Sequence, residues 1–246
     1  MRLIFLQVYQ DTFLDEQVIS RSHSEYSLLA NRGKILDRNN NILALDVRSF
    51  STGIDLRKFK GSLSKIASLE KILGIKEGAI HELIKHKKTG YKEIKRHVSG
   101  ATRKNIESLK LEGIFFRENL RRSYPQKEAS SHVVGITDID RKGIQGAELV
   151  FDNTLQGKKG KFTGTKSSGN KKIEGNRVEP QNGRDLFLTI DIRLQSIAFE
   201  ELAKAIKKTG ADSGSVIIIN PESSEILALS NYPSFNPSDR KNITDH

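Results

Sequence analysis

Apolar and polar positions alternate in several short stretches of this chain, a pattern typical of strands with one buried face. Ile35 and residues 42–50 form two such stretches on either side of the turn sequence Asn39-Asn40-Asn41. The segment 32–55 is therefore predicted to be a β-hairpin. Two further strands are predicted at 91–98 and 114–124.

Helical spacing of apolar residues indicates several helices between these strands. Residues 63–73 predict a helix that ends at Gly74, and a short helix is predicted around 80–84. Ser99 is the predicted N-cap of a helix over 101–110. Between 143 and 155 another helix is predicted, and its apolar face would consist of Ala147, Val150, Phe151 and Leu155.

The composition changes at residues 181–184, where we place a domain boundary. Before it, residues 157–176 are rich in Gly, Lys and Ser and form either a long hairpin or a mobile loop. After it, a strand over 184–190 leads to a helix capped by Asp191, and residues 213–232 form a second hairpin. The predicted apolar positions of that helix are Leu194, Ala198, Leu202 and Ala205.

The charge is strongly basic. The 246 residues include 41 Lys and Arg against 30 Asp and Glu, which gives a net charge of +11. Such a chain is attracted to nucleic acid, anionic lipid or acidic cell-wall polymer, and the charge alone does not choose among them. The densest basic stretch, 84–97, has Tyr91 as its one aromatic residue and is a poor platform for stacking bases. Specific binding of nucleic acid is therefore not expected.

The sequence predicts neither a metal site nor a membrane-spanning segment. The absence of cysteine excludes disulfides and thiolate metal sites. His81 and His86 do not have the i, i+4 spacing of a helical zinc pair, so no metal or cofactor is expected. No apolar run approaches the roughly 20 residues that span a bilayer. Residues 3–30 are predicted to be a helix or an extended arm, without an export signal.

Five sequence blocks, in order, cover about residues 31–237 and carry a family resemblance. They are similar to the motifs of class B penicillin-binding proteins, with a spacing closer to the division-type (septal) enzymes than to the elongation type. The residues that depart from the usual motifs, Gln126, Asn220 and Ser223-Ser224, all lie in predicted turns. The blocks are RGKILDRNNNILAL from residue 32, RRSYPQKEASSHVVGITD from 121, GIQGAELVFDNTLQGKKG from 143, DLFLTIDIRLQ from 185 and IINPESSEILALSNYPSFNP from 218.

This resemblance implies an α+β fold, in which an elongated pedestal (dimerisation) domain precedes an incomplete transpeptidase sheet domain. The implied division is a juxtamembrane arm at 1–31, the non-catalytic pedestal at 32–183 and the truncated first edge of the transpeptidase domain at 184–246. The parent enzyme would be anchored in the bacterial inner membrane and face the periplasm, with its anchor helix preceding Met1. Its implied partners are peptidoglycan, division-complex membrane proteins and a membrane glycan polymerase, and a homodimer is left open.

The family transfers acyl groups through a serine in S-x-x-K, an S-x-N and a K-T-G, and this chain contains all three strings in unsuitable settings. The S-x-x-K strings lie on an ordinary charged surface, the S-x-N lies in the Gly/Lys-rich segment, and one K-T-G closes a helix. We therefore expect no catalytic residue here, and a nucleophile that follows His246. The strings are 62–65 and 68–71, 168–170, and 88–90 and 208–210.

Structural roles are assigned instead to residues of the motif blocks. Arg32 and Asp37 lie in the strand-like hairpin, where burial would demand pairing. Glu148 lies in an apolar helix, so we expect it to contact Arg32 or Arg122 in a bidentate arrangement, with separate surface charges as the alternative. The glycines are expected to serve backbone geometry. The predicted structural residues are Arg32, Gly33, Asp37, Arg38, Arg122, Tyr124, Pro125, Gly143, Gly146 and Glu148.

Two other interpretations stay open. The chain could be a stand-alone protein-interaction module without an enzymatic parent, or a basic nucleic-acid-binding protein. The second rests on charge alone. Sequence on either side of this segment distinguishes them, because a parent transpeptidase requires an apolar helix upstream and an S-x-x-K downstream.

Overall fold

The computed structural model describes residues 23–86, 90–166 and 173–239. In these ranges a mixed α+β fold is built from three sheets and from helices of 4 to 18 residues. A 3₁₀ turn, Lys127–Ser130, precedes the fourth helix. The strands are β1 (His23–Leu28), β2 (Ile35–Leu36), β3 (Ile42–Asp55), β4 (Tyr91–Val98), β5 (Ile114–Ser123), β6 (Gly160–Lys166), β7 (Ile173–Val178), β8 (Leu186–Phe187), β9 (Gly214–Ile219) and β10 (Ile226–Tyr232). The helices are α1 (Leu63–Leu73), α2 (Ala79–His86), α3 (Gly100–Ser108), α4 (Ser131–Val134), α5 (Gly146–Val150), α6 (Asp152–Leu155) and α7 (Ile192–Thr209).

The strand β3 lies at the centre of the largest sheet. Its first residues form the predicted hairpin with β2, through Ile35↔Ala44. Its last residues pair with both β4 and β5, in antiparallel registers that include Phe50↔Val98 and Ile54↔Ile114. The strand extends to Asp55 rather than ending near Phe50 as predicted, because two neighbours pair with residues 50–54 from opposite sides.

Two hydrophobic cores lie along β3. The base core surrounds β2 and the start of β3, and it consists of Ile35, Leu43, Ala44, Tyr124, Val134, Ala147, Leu155 and Ile192. The head core lies at the far end of β3, where the helices α1, α2 and α3 cover the sheet. It consists of Ile54, Ile66, Leu69, Leu73, Ile80, Val98 and Ile106.

The head helices begin and end where local chemistry predicts. Gly74 ends α1 in the left-handed region, with φ of 59°. Ser99 caps α3, since its hydroxyl accepts a hydrogen bond of 3.0 Å from the Thr102 N–H. The strand predicted at 91–98 is confirmed at the same residues.

A second sheet has the order β1-β6-β7. The hairpin alternative for residues 157–176 is thus correct, although the connection 167–172 lies outside the described residues. Of the two alternatives for residues 3–30, the extended one holds for His23–Leu28, which pair antiparallel with β6. Residues 1–22 lie outside the described part of the chain.

The single apolar helix predicted at 143–155 is wrong. The segment forms two short helices, α5 and α6, which are separated at Phe151 by a non-helical backbone with φ of −106° and ψ of 23°. Ala147 and Leu155 are buried as predicted, whereas Val150 is 74% exposed and Phe151 is 40% exposed. The Glu148 carboxylate points inward, whereas the next two residues, Leu149 and Val150, are exposed.

The strand predicted at 184–190 is also largely wrong. Only Leu186–Phe187 is a strand, and it pairs in parallel with β2. The predicted hairpin at 213–232 is confirmed as β9 and β10, which form a separate two-stranded sheet against α7. Asp191 caps α7 as predicted. Its buried face is displaced from the prediction, because Ile206 rather than Ala205 points inward and Gln195 joins the apolar residues.

Candidate functional site

A cluster of buried charges lies beside the base core and centres on Glu148. The Arg32 Nε donates to one carboxylate oxygen of Glu148 at 2.6 Å, and the Arg122 Nε donates to the other at 2.7 Å. All three side chains are at most 1% exposed. Glu148 therefore contacts both arginines that the sequence offered as alternatives. The expected bidentate pair with a single arginine is wrong, because each carboxylate oxygen accepts from a different guanidinium.

Two more carboxylates and a third arginine complete this ion cluster. Asp152 contacts Arg32 at 2.7 Å. Asp46 contacts Arg122 at 3.4 Å and Arg141 at 2.5 Å. Three guanidiniums thus face three carboxylates, which makes the cluster formally neutral. Neutrality matters because removing one partner from a buried pair leaves an uncompensated charge that costs about 3–5 kcal/mol.

The ion cluster also binds the backbone of the segments that it joins. The Arg122 guanidinium donates to the Gly33 carbonyl at 2.8 Å, and the Arg32 guanidinium donates to the Glu148 carbonyl at 2.9 Å. The Gly143 N–H donates to Asp152 at 2.8 Å. These contacts hold β2, β5 and the α5–α6 segment together, although Arg32 and Glu148 are 116 positions apart in the sequence.

The predicted glycines lie where backbones meet closely. A Cβ at Gly33 would lie 1.8 Å from the Arg184 carbonyl oxygen, so any side chain there would separate the hairpin from the β8 segment. Gly146 has a φ of +61° and would bring a Cβ to 2.6 Å from the Gly135 nitrogen. Both positions therefore require glycine for the packing around the ion cluster.

Tyr124 and Pro125 lie at the end of β5. Tyr124 is buried in the base core, and its hydroxyl oxygen accepts a 3.0 Å hydrogen bond from the Thr137 N–H. Burial, reinforced by the nearby negative charge of Glu148, raises the pKa of Tyr124 to about 12. Pro125 follows at the surface and starts the turn into the 3₁₀ segment.

Asp37 is fully buried, and hydrogen bonds rather than a cation satisfy it. Its carboxylate accepts from the N–H groups of Asn39, Asn41 and Ile192 and from the Asn41 side chain, at 2.7–3.1 Å. Burial alone would raise the pKa of Asp37, but these hydrogen bonds together lower it below the ordinary value. Arg38 lies at the surface, 3.5 Å from Glu225 of the second hairpin.

The β2–β3 turn thereby reaches the beginning of α7. Asn39 donates to the Asp191 carboxylate at 3.0 Å, while Asp37 accepts from the Ile192 N–H, the first of the helix, at 3.1 Å. Arg193, followed by the adjoining backbone N–H and Asn39, holds the pKa of Asp191 well below its usual range. A motif near the N-terminus of the chain thus helps to cap a helix about 150 residues later.

Comparison with known proteins now identifies the family. The family model described as Penicillin-binding Protein dimerisation domain matches residues 27–188. The chain belongs to this family. It is 31% identical to the Probable peptidoglycan D,D-transpeptidase PenA of Neisseria gonorrhoeae, over 96% of this chain and 42% of that protein. It is 32% identical to the Peptidoglycan D,D-transpeptidase FtsI of Escherichia coli (strain K12), again over 96% of this chain and 42% of that protein.

A solved structure agrees in fold. The crystal structure of Penicillin Binding Protein 2X from Streptococcus thermophilus matches with a TM-score of 0.59 at 20% identity, over 87% of this chain and 36% of that chain. The class B, division-type resemblance and the α+β fold predicted from the motif blocks are confirmed. This penicillin-binding protein chain spans about two fifths of the length of the curated relatives that it matches.

The acyl-transfer strings of this penicillin-binding protein chain do not converge in the described residues. Ser68 is exposed on α1, and its hydroxyl donates to the Ser64 carbonyl at 3.0 Å. Lys208 and Thr209 end α7, where Gly210 takes a left-handed conformation with φ of 71°. Residues 168–170, and 88–89 of the second K-T-G, lie outside the described part. Among the described residues, no helix is long and apolar enough to cross a bilayer.

Sequence reasoning missed several residues of these contacts. Asp46, Arg141 and Asp152 belong to the ion cluster, and Gln195 connects α7 to its neighbours. For Gln195 a signal existed, because it lies between Ile192 and Ala198 on the buried helical face. For Asp46 and Arg141 the sequence gives no local signal, since their contact arises only when distant segments pack.

Proposed function

We propose that this chain is the non-catalytic portion of a septal peptidoglycan D,D-transpeptidase that acts in cell-wall synthesis at division. The observation that supports this most directly is the continuity of the two parts. The family's dimerisation domain leads without interruption into a capped helix and a hairpin that carries the family's first transpeptidase motifs. The parent enzyme would cross-link stem peptides through an acyl-serine supplied by another part of the protein.

The proposed organisation is an arm, a pedestal and the beginning of a second domain. Residues 1–31 would form the juxtamembrane arm, 32–183 the pedestal, and 184–246 the first edge of the transpeptidase domain. Two strand pairs cross these boundaries, since β1 pairs with β6 and β8 pairs with β2. In this arrangement the ion cluster, with the predicted structural residues around it, maintains the shape of the pedestal base. The α7 helix and the β9–β10 hairpin form the floor on which the catalytic site of the parent is built.

The proposed partners are peptidoglycan, membrane proteins of the division complex and a membrane glycan polymerase. Such a protein would be held at the bacterial inner membrane and face the periplasm. The basic surface is compatible with a site close to anionic cell-wall polymers. A homodimer through the dimerisation domain is a further option within this proposal.

Sequencing of the flanking DNA tests the parentage. An open reading frame with an apolar helix upstream and an S-x-x-K downstream is the expected result. A stop codon directly after His246 together with no upstream apolar helix would contradict the proposal and favour a stand-alone interaction module.

Labelled penicillin tests the assignment of the serine strings in this chain. We expect no covalent adduct after denaturation, because Ser68 lies on an exposed helix surface and donates to a backbone carbonyl. A stoichiometric adduct at Ser62 or Ser68 would contradict the non-catalytic assignment. Sequence-selective, submicromolar DNA binding at about 150 mM salt would instead support the nucleic-acid alternative.

A further inference from the structure

Gln195 connects three parts of the molecule through one buried amide. It is 1% exposed. Its Nε2 donates to the Ala129 carbonyl in the 3₁₀ turn and to the Leu229 carbonyl in β10, both at 2.7 Å. The same nitrogen lies 2.8 Å from the Ser230 hydroxyl, and Oε1 accepts from the Leu229 N–H at 2.8 Å. The side chain therefore joins α7, the middle of β10 and the segment 128–132 of the pedestal.

The same pedestal segment also contacts the chain where it leaves β10. The Ser234 hydroxyl donates to the Glu128 carbonyl at 2.8 Å and lies 2.8 Å from the Ser131 hydroxyl. The His132 Nε2 donates to the Pro233 carbonyl at 3.1 Å, and its ring packs edge-to-face against Phe235 at 5.4 Å. Segment 128–132 thus contacts the interior of β10 through Gln195 and the exit of β10 directly.

The Gln195 amide and the Ser131 and Ser230 hydroxyls are shielded from water, whereas the His132 contact to Pro233 is exposed. Ser131 is fully buried and Ser230 is 2% exposed. In such surroundings an amide or hydroxyl that loses its partner cannot replace it with solvent. Movement of segment 128–132 away from β10 would leave several groups unsatisfied at once. The two segments are therefore expected to move together.

We propose that Gln195 is a positioning residue, through which pedestal segment 128–132 fixes the placement of β10 and of its exit at 233–237. The inference rests on the proposed function, in which the chain beyond this exit builds the acyl-transfer site. The pedestal then orients the floor of that site in addition to spacing it from the membrane. The residue acts on the reacting serine through β10 and does not touch it.

Amide hydrogen exchange on the 246-residue chain tests the connection itself. Gln195→Met keeps a similar volume but removes the amide, so exchange should accelerate about tenfold or more in both 128–134 and 229–235. Leu202→Ala on the same helix should accelerate exchange in α7 and β9 without affecting 128–134. Gln156→Met, at an exposed glutamine, should change neither. Unchanged exchange at 128–134 in Gln195→Met would overturn the inference.

Ser234→Ala is the milder variant, to be used as well if Gln195→Met does not fold. It removes the contacts to Glu128 and Ser131 and leaves the amide of Gln195 in place. Exchange in 128–134 should accelerate about threefold, less than in Gln195→Met. Wild-type exchange in this variant would show that the exit does not depend on the pedestal.

Acylation of the longer parent protein by labelled penicillin tests the positioning role. We expect Gln195→Met to slow the first-order acylation step by about tenfold, with unchanged non-covalent affinity, while Gln156→Met retains the wild-type rate of that step. If the wild-type parent is acylated and Gln195→Met reacts equally fast, the positioning role is wrong. If the wild-type parent is not acylated, the proposed function is wrong, whereas the exchange experiment still decides the connection.

Discussion

The head and the base of the pedestal share strand β3 but are held together in different ways. The head core is apolar and comes from one continuous stretch, residues 50–116. Glu70, one of its buried acids, accepts hydrogen bonds from the N–H groups of Gly78 and Ile80 and so completes a local turn. The base combines an apolar core with the ion cluster, and its segments are up to 155 positions apart.

This difference shows two uses of buried groups. Burial of apolar side chains stabilises the head without requiring one particular geometry of contact. The contacts are between residues near in sequence, so they close short loops at small entropic cost. Buried charges in the base pay a large desolvation cost and are satisfied in one arrangement, so they determine which distant segments meet. We therefore expect the head to form early and to survive damage to the base, whereas the base depends on all its segments together.

Removal of the central carboxylate should produce the largest effect. Glu148→Ala leaves Arg32 and Arg122 buried without their shared partner, and we expect a loss of about 3–5 kcal/mol in the free energy of unfolding. Urea denaturation measures the loss, and amide exchange should place it in β2, α5 and α6 while β4 and α1 stay protected. The control Glu118→Ala removes an exposed contact to Arg48 and should cost less than about 1 kcal/mol. Equal loss of protection in the head would contradict the division into two units.

The matching change in the head is Leu69→Ala. Leu69 is fully buried in the head core, so truncation should cost about 2–5 kcal/mol through lost apolar contacts and a cavity. Exchange should accelerate in α1, α2 and β4, and the ion cluster segments should keep their protection. Leu63→Ala, at the exposed start of the same helix, should change stability by no more than about 0.5 kcal/mol.

A smaller difference is expected within the second hairpin. β9 has exposed isoleucines at 217 and 219, whereas β10 is held by Gln195 and by Thr189, whose hydroxyl donates to the Ile226 carbonyl. Native-state amide exchange should therefore be fast across 213–239 relative to 32–50 and 143–155, and faster in β9 than in β10 by about tenfold. Uniformly slow exchange through Tyr232 in a dilute monomer would show that the hairpin is self-sufficient.

Local patterns predicted the head better than the base. The helix over 63–73, its glycine end and the strand at 91–98 depend on nearby residues, and the sequence places them correctly. The segment 143–155 misled the same reasoning, because Glu148 faces inward and Val150 faces outward. Helical periodicity assumes that apolar residues define the inner face, whereas a distant pair of arginines defines it here.

The contrast between local patterns and long-range contacts also explains which residues of the ion cluster could be predicted from the sequence. Glu148 in an apolar setting indicated a buried ion pair and restricted its partner to two arginines. It could not indicate that both would bind, or that Asp46, Asp152 and Arg141 would complete the charge balance, since those contacts exist only in the packed base. The two-residue β8 was likewise missed as part of the pedestal sheet, because pairing with β2 depends on the arrangement of the whole base.

Alkaline pH tests how closely the base core encloses the Tyr124 side chain. Its folded pKa of about 12 lies above the value near 10 of an unfolded tyrosine, chiefly because of burial and next because of Glu148. Between pH 10 and 12 the unfolded chain loses this proton while the folded chain keeps it, so the stabilisation that is complete below pH 10 declines as pH rises. The decline attributable to Tyr124 is on the order of 1 kcal/mol at pH 11.

Tyr124→Phe removes the titrating hydroxyl but keeps every lysine. The difference between the variant and the wild type therefore reports the titration of Tyr124 alone. The variant should be less stable near neutrality by about 1 kcal/mol, since the Thr137 N–H loses its acceptor. Its stability should then fall less steeply than that of the wild type from pH 10 to 11 in urea denaturation. Tyr91→Phe, at a ring that is 67% exposed, should keep the wild-type slope. If the stabilities of Tyr124→Phe and the wild type decline in parallel, the pKa of Tyr124 is not raised in the folded protein. The close packing of the base core around this hydroxyl would then be wrong.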